Sequence, residues 1–261
     1  MTALSLKKIK THHAVVDVLS GGQGPDLFFL HGAGGVTVED PFLTALASKY
    51  RVHAPLLPGY GASDECESIR TMLDFTLHSH DVMTALGLVR PILVGHSMGG
   101  MMAAEMAAVA PNDIDRLCLL CPAGLWLDDY PMPDIFSMVP YELPAVLFHD
   151  VEAGAAMMTA GADFSDLTFL QNFLVQNARQ LGMAGKILFP IPERGLSERL
   201  YRIKAKTVLV WGASDRLTPM PYAEAFHKGI AGSELVVVEK AGHMLPLEQT
   251  AAVIAAIGRL G

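Results

Sequence analysis

Short apolar runs recur along the chain at residues 15–19, 27–30, 51–55, 91–94, 115–120, 207–211 and 234–238. Stretches with helical patterning fall at 40–49, 69–86, 97–109, 219–228 and 246–260. No other feature limits the possible folds so strongly. Several of the runs are apolar throughout, as strands buried on both faces must be. Strand and helix in regular alternation predict an α/β fold, with a mostly parallel central sheet flanked by helices. The first runs follow one another with no helix between them, and parallel neighbours need a crossover, so the N-terminal edge of the sheet is expected to be antiparallel.

The alternation breaks once. Residues 122–204 hold Pro131, Pro133, Pro140 and Pro144, then helical stretches at 151–160 and 167–181. A segment this long is not a bare loop in a compact domain. It reads as a helical cap insertion, which leaves 1–121 and 205–261 as the core domain. With 261 residues, 51% of them apolar and 18% charged, the chain can bury one large core beside such an insertion.

The net charge of −8 disfavours nucleic acid or an anionic membrane as the main partner. The most apolar helical stretch, 98–110, is too short to span a bilayer and carries Glu105. Residues 1–10 are lysine-bearing and lack both an apolar run and a cleavage site, so a cytoplasmic protein is expected. Three cysteines, Cys66, Cys118 and Cys121, are an odd, low count that suits a reducing compartment. Cys118 and Cys121 have a redox-pair spacing, but in a buried strand an offset of three points to opposite faces, and two inert thiols are expected. His78 and His80 lie two apart on a helix and cannot share a face as metal ligands would. No metal and no cofactor are expected.

Chemistry concentrates at Val94-Gly95-His96-Ser97-Met98-Gly99-Gly100, between an apolar strand and a helix. A Gly-x-Ser-x-Gly turn in that setting projects the serine hydroxyl above the sheet. The flanking glycines let the backbones pass, and the helix start offers free N–H groups to a developing anion.

Together with His31-Gly32-Ala33-Gly34-Gly35, Pro58-Gly59-Tyr60-Gly61-Ala62-Ser63, Trp211-Gly212-Ala213-Ser214-Asp215 and Ala241-Gly242-His243-Met244, this segment gives the chain its resemblance to the α/β-hydrolase fold superfamily. The likeness extends over essentially the whole length, in the order serine, acid, histidine. It implies Ser97 as nucleophile, His243 as base and Asp215 as the acid that orients the base. It also implies an oxyanion hole made by the N–H groups of Met98 and Ala33. His96 is a minor rival for the base, and His31 reads as structural. Asp128 and Asp129 are rival acids, since some members place the acid after the preceding strand.

The implied activity is that of a carboxylesterase acting through an acyl-enzyme on a small-molecule ester. Between Leu117 and Ala178 there is no lysine or arginine, which points to neutral, apolar substrates. The alternatives are a carbon–carbon bond hydrolase of ring-cleavage products, a lactonase or perhydrolase, and a non-catalytic receptor. Met244 counts against the first, because those relatives usually carry an aromatic residue after the catalytic histidine. Oligomeric state is not legible in the sequence.

Overall fold

The computed structural model describes residues 3–261. Eight strands form one sheet: β1 (Ser5–Lys10), β2 (Val15–Gly21), β3 (Asp26–Leu30), β4 (Arg51–Pro55), β5 (Ile92–His96), β6 (Arg116–Leu120), β7 (Lys206–Gly212) and β8 (Glu234–Val238). Their order is β1-β2-β4-β3-β5-β6-β7-β8. β1 and β4 both pair antiparallel with β2, and every other pairing is parallel. The antiparallel edge is as expected, with β1 as an addition to the seven strands predicted. β1 carries Lys7, Lys8 and Lys10 and is mostly exposed, the composition of a protected edge strand rather than of a core run.

The helices are α1 (Pro41–Leu46), α2 (Met72–Ala85), α3 (Met98–Val109), α4 (Leu143–Leu147), α5 (Val151–Thr159), α6 (Leu167–Leu188), α7 (Met220–Gly229), α8 (Leu245–Glu248) and α9 (Thr250–Ile257). Side-chain caps set several starts. Asp40 accepts from the Leu43 N–H, Asp150 from Ala153 N–H, and Thr71 and Asp74 form a capping box on α2. The stretch predicted as one helix over 246–260 is split at Gln249 (φ −135°), and α6 continues to Leu188, past its predicted end.

α3 is buried along nearly its whole length, Glu105 included. That carboxylate is answered by the Arg199 guanidinium, whose Nε lies 2.9 Å from Oε2. The pair fastens the end of the segment between β6 and β7 to the middle of the core. Chain direction across the sheet reverses at β3: β4 lies on one side of it and β5 on the other. The loops after β3 and β5 therefore diverge, and a crevice opens at the carboxyl ends of these strands.

His78 on α2 is 1% exposed, and neither ring nitrogen has a hydrogen-bond partner among the described residues. Burial pushes its pKa down from 6.5 to about 4, against a weaker opposing pull from Asp81. The folded protein thus keeps this ring neutral where the unfolded chain would protonate it. The associated stability is present above about pH 6.5 and drains as pH falls toward 4, roughly 2 kcal/mol of it by pH 5. His78→Leu should therefore flatten the fall in Tm between pH 7.5 and pH 5. Parallel Tm-against-pH curves for the two proteins would show that His78 is not the group responsible.

Candidate active site

β5 delivers the chain to Ser97, which sits at φ 54° and ψ −117°, a conformation costly for any residue with a side chain. Three backbone bonds hold it there: Ser97 N–H donates to Leu120 O at 2.9 Å, and the N–H groups of Met101 and Ala123 each donate to Ser97 O at 3.0 Å. The flanking glycines are a steric requirement. A Cβ on Gly95 would stand 2.3 Å from Gly99 O, and one on Gly99 would stand 2.1 Å from Leu30 O. Ser97 occupies the N-cap position of α3 yet makes no capping bond. Its Oγ lies instead 2.8 Å from His243 Nε2.

His243 follows β8, and its Nδ1 lies 2.9 Å from Asp215 Oδ2. Asp215 follows β7. Its Oδ1 accepts from the N–H groups of Leu217 (2.9 Å) and Thr218 (2.8 Å), and its Oδ2 also accepts from Thr218 Oγ1 (2.8 Å). Four donors fill the carboxylate's acceptor sites. Burial alone would raise its pKa, but the adjacent His243, then the Cys121 thiol and the Thr218 N–H, hold it below the ordinary carboxylate value. An ionised Asp215 makes Nδ1 the donor, so the neutral imidazole presents a bare Nε2 to the serine hydroxyl. Thr218 was not singled out from the sequence. Its spacing of three from Asp215 is the local signal that would have found it.

The loop after β3 lies against the serine: a Cβ on Gly32 would be 3.3 Å from Ser97 Cβ. The Gly32 carbonyl accepts from His31 Nδ1 (2.7 Å) and from Gly35 N–H (3.1 Å). The peptide is planar, so fixing that carbonyl also fixes the Ala33 N–H, which points the opposite way. His31 Nε2 accepts from Leu57 N–H at 3.1 Å; burial lowers its pKa to about 4, which keeps the ring neutral, and the two bonds select this bridging tautomer. The N–H groups of Ala33 and Met98 have no hydrogen-bond acceptor among the described residues. Met98 opens α3, where unsatisfied donors and the helix dipole favour negative charge.

Ser97 opens on a cavity of about 120 Å³ walled by Trp126, Met132, Ile135, Phe136, Leu217 and Thr218, among others. Its one ionisable wall residue among those described is Asp134. A larger open hollow, about 340 Å³ between β8 and α9, has none of Ser97, Asp215, His243, Ala33 and Met98 in its walls. The rival acids are not brought to the histidine. Asp128 and Asp129 are exposed, and Asp128 Oδ1 accepts from Trp126 Nε1 at 3.0 Å. His96 is buried, with Nε2 donating to the His243 carbonyl at 2.9 Å, so its ring braces the His243 loop. Arg179 is engaged away from the cavity, its Nε 2.6 Å from Glu65 Oε1.

Cys118 and Cys121 are both buried free thiols. Cys121 lies just past β6 at φ 41°, where its sulfur comes within 4.8 Å of the ligand atoms of Asp215 and His243. A cation there would have to displace the His243 Nδ1 proton from a saturated carboxylate and ionise a thiol whose pKa burial pushes well up. The set is better suited to holding protons than a metal. No helix among the described residues is long and apolar enough to cross a membrane.

A family model described as the alpha/beta hydrolase family matches residues 27–257. The chain is 28% identical over 236 residues to a pimeloyl-[acyl-carrier protein] methyl ester esterase from Aeromonas hydrophila, covering 87% of this chain and 92% of that one. It is 29% identical over 254 residues to a 2-hydroxy-6-oxo-6-phenylhexa-2,4-dienoate hydrolase from Comamonas testosteroni, covering 87% and 84%. In fold it is similar to a meta-cleavage product hydrolase from Pseudomonas fluorescens, with TM-score 0.79, 19% identity and 98% of each chain covered. With the elbow, the sheet order and these matches together, the chain belongs to the alpha/beta hydrolase family.

Proposed function

We propose that the protein is a serine esterase that cleaves neutral, apolar carboxylic esters. The observation that carries this reading is the hydrogen-bonded chain from Ser97 through His243 to Asp215, opening on a mostly apolar cavity with no lysine, arginine or histidine among its described wall residues. In the proposed reaction His243 Nε2 takes the Ser97 proton as Oγ attacks the ester carbonyl. The carbonyl oxygen becomes an oxyanion facing the Ala33 and Met98 N–H groups. Collapse of this intermediate expels the alcohol, which leaves with the proton held by His243. Water then repeats the sequence on the acyl-enzyme and releases the acid. Segment 122–204 serves as the cap that walls the cavity and excludes water.

A second reading, carbon–carbon bond hydrolysis, is favoured by the likeness to the Comamonas enzyme, whose named substrate is a carboxylate. The electrostatics oppose it. A buried carboxylate needs a cationic partner, and Asp134 supplies the wrong sign while Arg179 is occupied by Glu65. The two readings separate on kcat/KM for a neutral ester and its ω-carboxylate analogue, in the parent and in Arg179→Ala. The neutral ester should be preferred by at least about tenfold in both, equivalent to roughly 1.4 kcal/mol. A parent that prefers the carboxylate, and loses that preference in Arg179→Ala, would favour the second reading.

A further inference from the structure

The loop that carries His243 is tied at three consecutive residues to three different parts of the molecule. Gly242 N–H donates to Glu248 Oε2 at 2.7 Å. The His243 carbonyl accepts from His96 Nε2 at 2.9 Å, and Met244 N–H donates to Leu147 O at 2.9 Å. Glu248, on α8, has a second oxygen that accepts from His149 N–H (2.8 Å) and Asp150 N–H (3.4 Å) at the entry to α5. One carboxylate thus joins the inserted segment to the backbone beside the histidine. The two segments are in direct contact: a Cβ on Gly242 would lie 2.7 Å from Leu147 O and 2.9 Å from His149 N. The same short segment is gripped from the acid's side. Arg216, next to Asp215, donates through Nη1 to Ala145 O (3.0 Å) and Phe148 O (2.8 Å).

We infer that Glu248 is a positioning residue for His243. Its clip makes residues 145–150 a brace across the base and the acid, so that the inserted segment holds the imidazole in register as well as walling the cavity. The inference rests on the esterase reading above. Both imidazole bonds are short, 2.8 Å to Ser97 and 2.9 Å to Asp215, and a displacement of the loop lengthens at least one of them. Reacting groups misplaced by about 1 Å lose on the order of 100-fold in rate. A charged acceptor is needed because several N–H groups converge on it. An amide would turn an NH₂ toward one of them.

The test is Glu248→Gln, with Glu248→Asp as a second variant that keeps the charge and shortens the reach. Each is measured for Tm, kcat, KM, the pH profile of kcat/KM, and the downfield proton resonance of His243 Nδ1–H. Glu248→Gln should lower kcat by roughly 10- to 100-fold with KM within about threefold, shift the acid limb of the profile, and broaden or move the resonance. If the Glu248→Gln protein does not fold, the Glu248→Asp protein is expected to show the same pattern more weakly. Unchanged kcat, acid limb and resonance in a folded variant would overturn the inference and leave Glu248 a purely structural staple. The esterase reading fails separately, when the parent turns over no ester or turns it over without Ser97. The resonance reports on the brace even then.

Discussion

Ser97→Ala is expected to lower ester turnover by several orders of magnitude, on the order of 10⁴- to 10⁶-fold in kcat, while the protein folds normally. The size follows from how the three side chains act in the proposed mechanism. His243 has a proton to take only because Ser97 Oγ stands 2.8 Å from Nε2, and Asp215 matters only through His243. Removing the first member removes the purpose of the other two. Folding should be spared because the turn is held by backbone bonds from Ser97 N–H and to Ser97 O, which alanine keeps. The hydroxyl caps nothing in α3, so its loss costs the helix no bond. Whatever activity remains would come from substrate binding and the free N–H groups of Ala33 and Met98. A fluorophosphonate should label Ser97 in the parent and nothing in the variant. Full turnover by the alanine protein would remove the covalent mechanism altogether.

What the sequence discloses here divides by the range of the interaction. The elbow is legible because its glycines answer a local steric demand: Gly95 and Gly99 face backbone atoms closer than any Cβ tolerates. The interior strands are legible because burial on both faces requires unbroken apolar runs, and β5 and β6 have them. β1 is not, since an exposed edge strand needs no apolar face and its lysines resemble a solvated tail. The break at Gln249 is hidden because Glu248-Gln249-Thr250 reads equally well as one polar turn of a continuous helix. Cys118 and Cys121 are buried free thiols as expected, but that Cys121 lies past the end of β6 at φ 41°, with its thiol beside Asp215, is a placement the strand pattern does not contain. The least legible contacts join residues far apart in the chain. Glu248 meets His149 across 99 positions, and His96 meets the His243 carbonyl across 147. Neither pair leaves a spacing that one sequence can reveal.

The acid offers the sharpest single substitution. Asp215→Asn should keep the fold and reduce kcat by roughly 10²- to 10⁴-fold, up to about 5.5 kcal/mol of transition-state stabilisation. The asparagine carbonyl can replace Oδ1, which accepts from Leu217 and Thr218 N–H. That choice places the NH₂ where Oδ2 had accepted from His243 Nδ1 and Thr218 Oγ1. The threonine hydroxyl can rotate and become an acceptor, but the imidazole cannot satisfy a second donor at Nδ1 without moving its own proton. It shifts to the other tautomer, with hydrogen on Nε2, and then points a donor at the serine hydroxyl it should deprotonate. Rotating the amide the other way restores Nδ1–H but sets NH₂ against two backbone N–H groups in a buried site, where unpaired donors are costly. Either orientation also loses the negative charge that balances the imidazolium formed during attack. Asp128→Asn and Asp129→Asn are the matched controls, since both residues are exposed and Asp128 is engaged with Trp126. They should stay within about twofold of the parent, as surface changes away from the reacting groups do. A nearly silent Asp215→Asn beside a severe Asp128→Asn or Asp129→Asn would move the acid to the loop after β6 and require the cap to rearrange before catalysis.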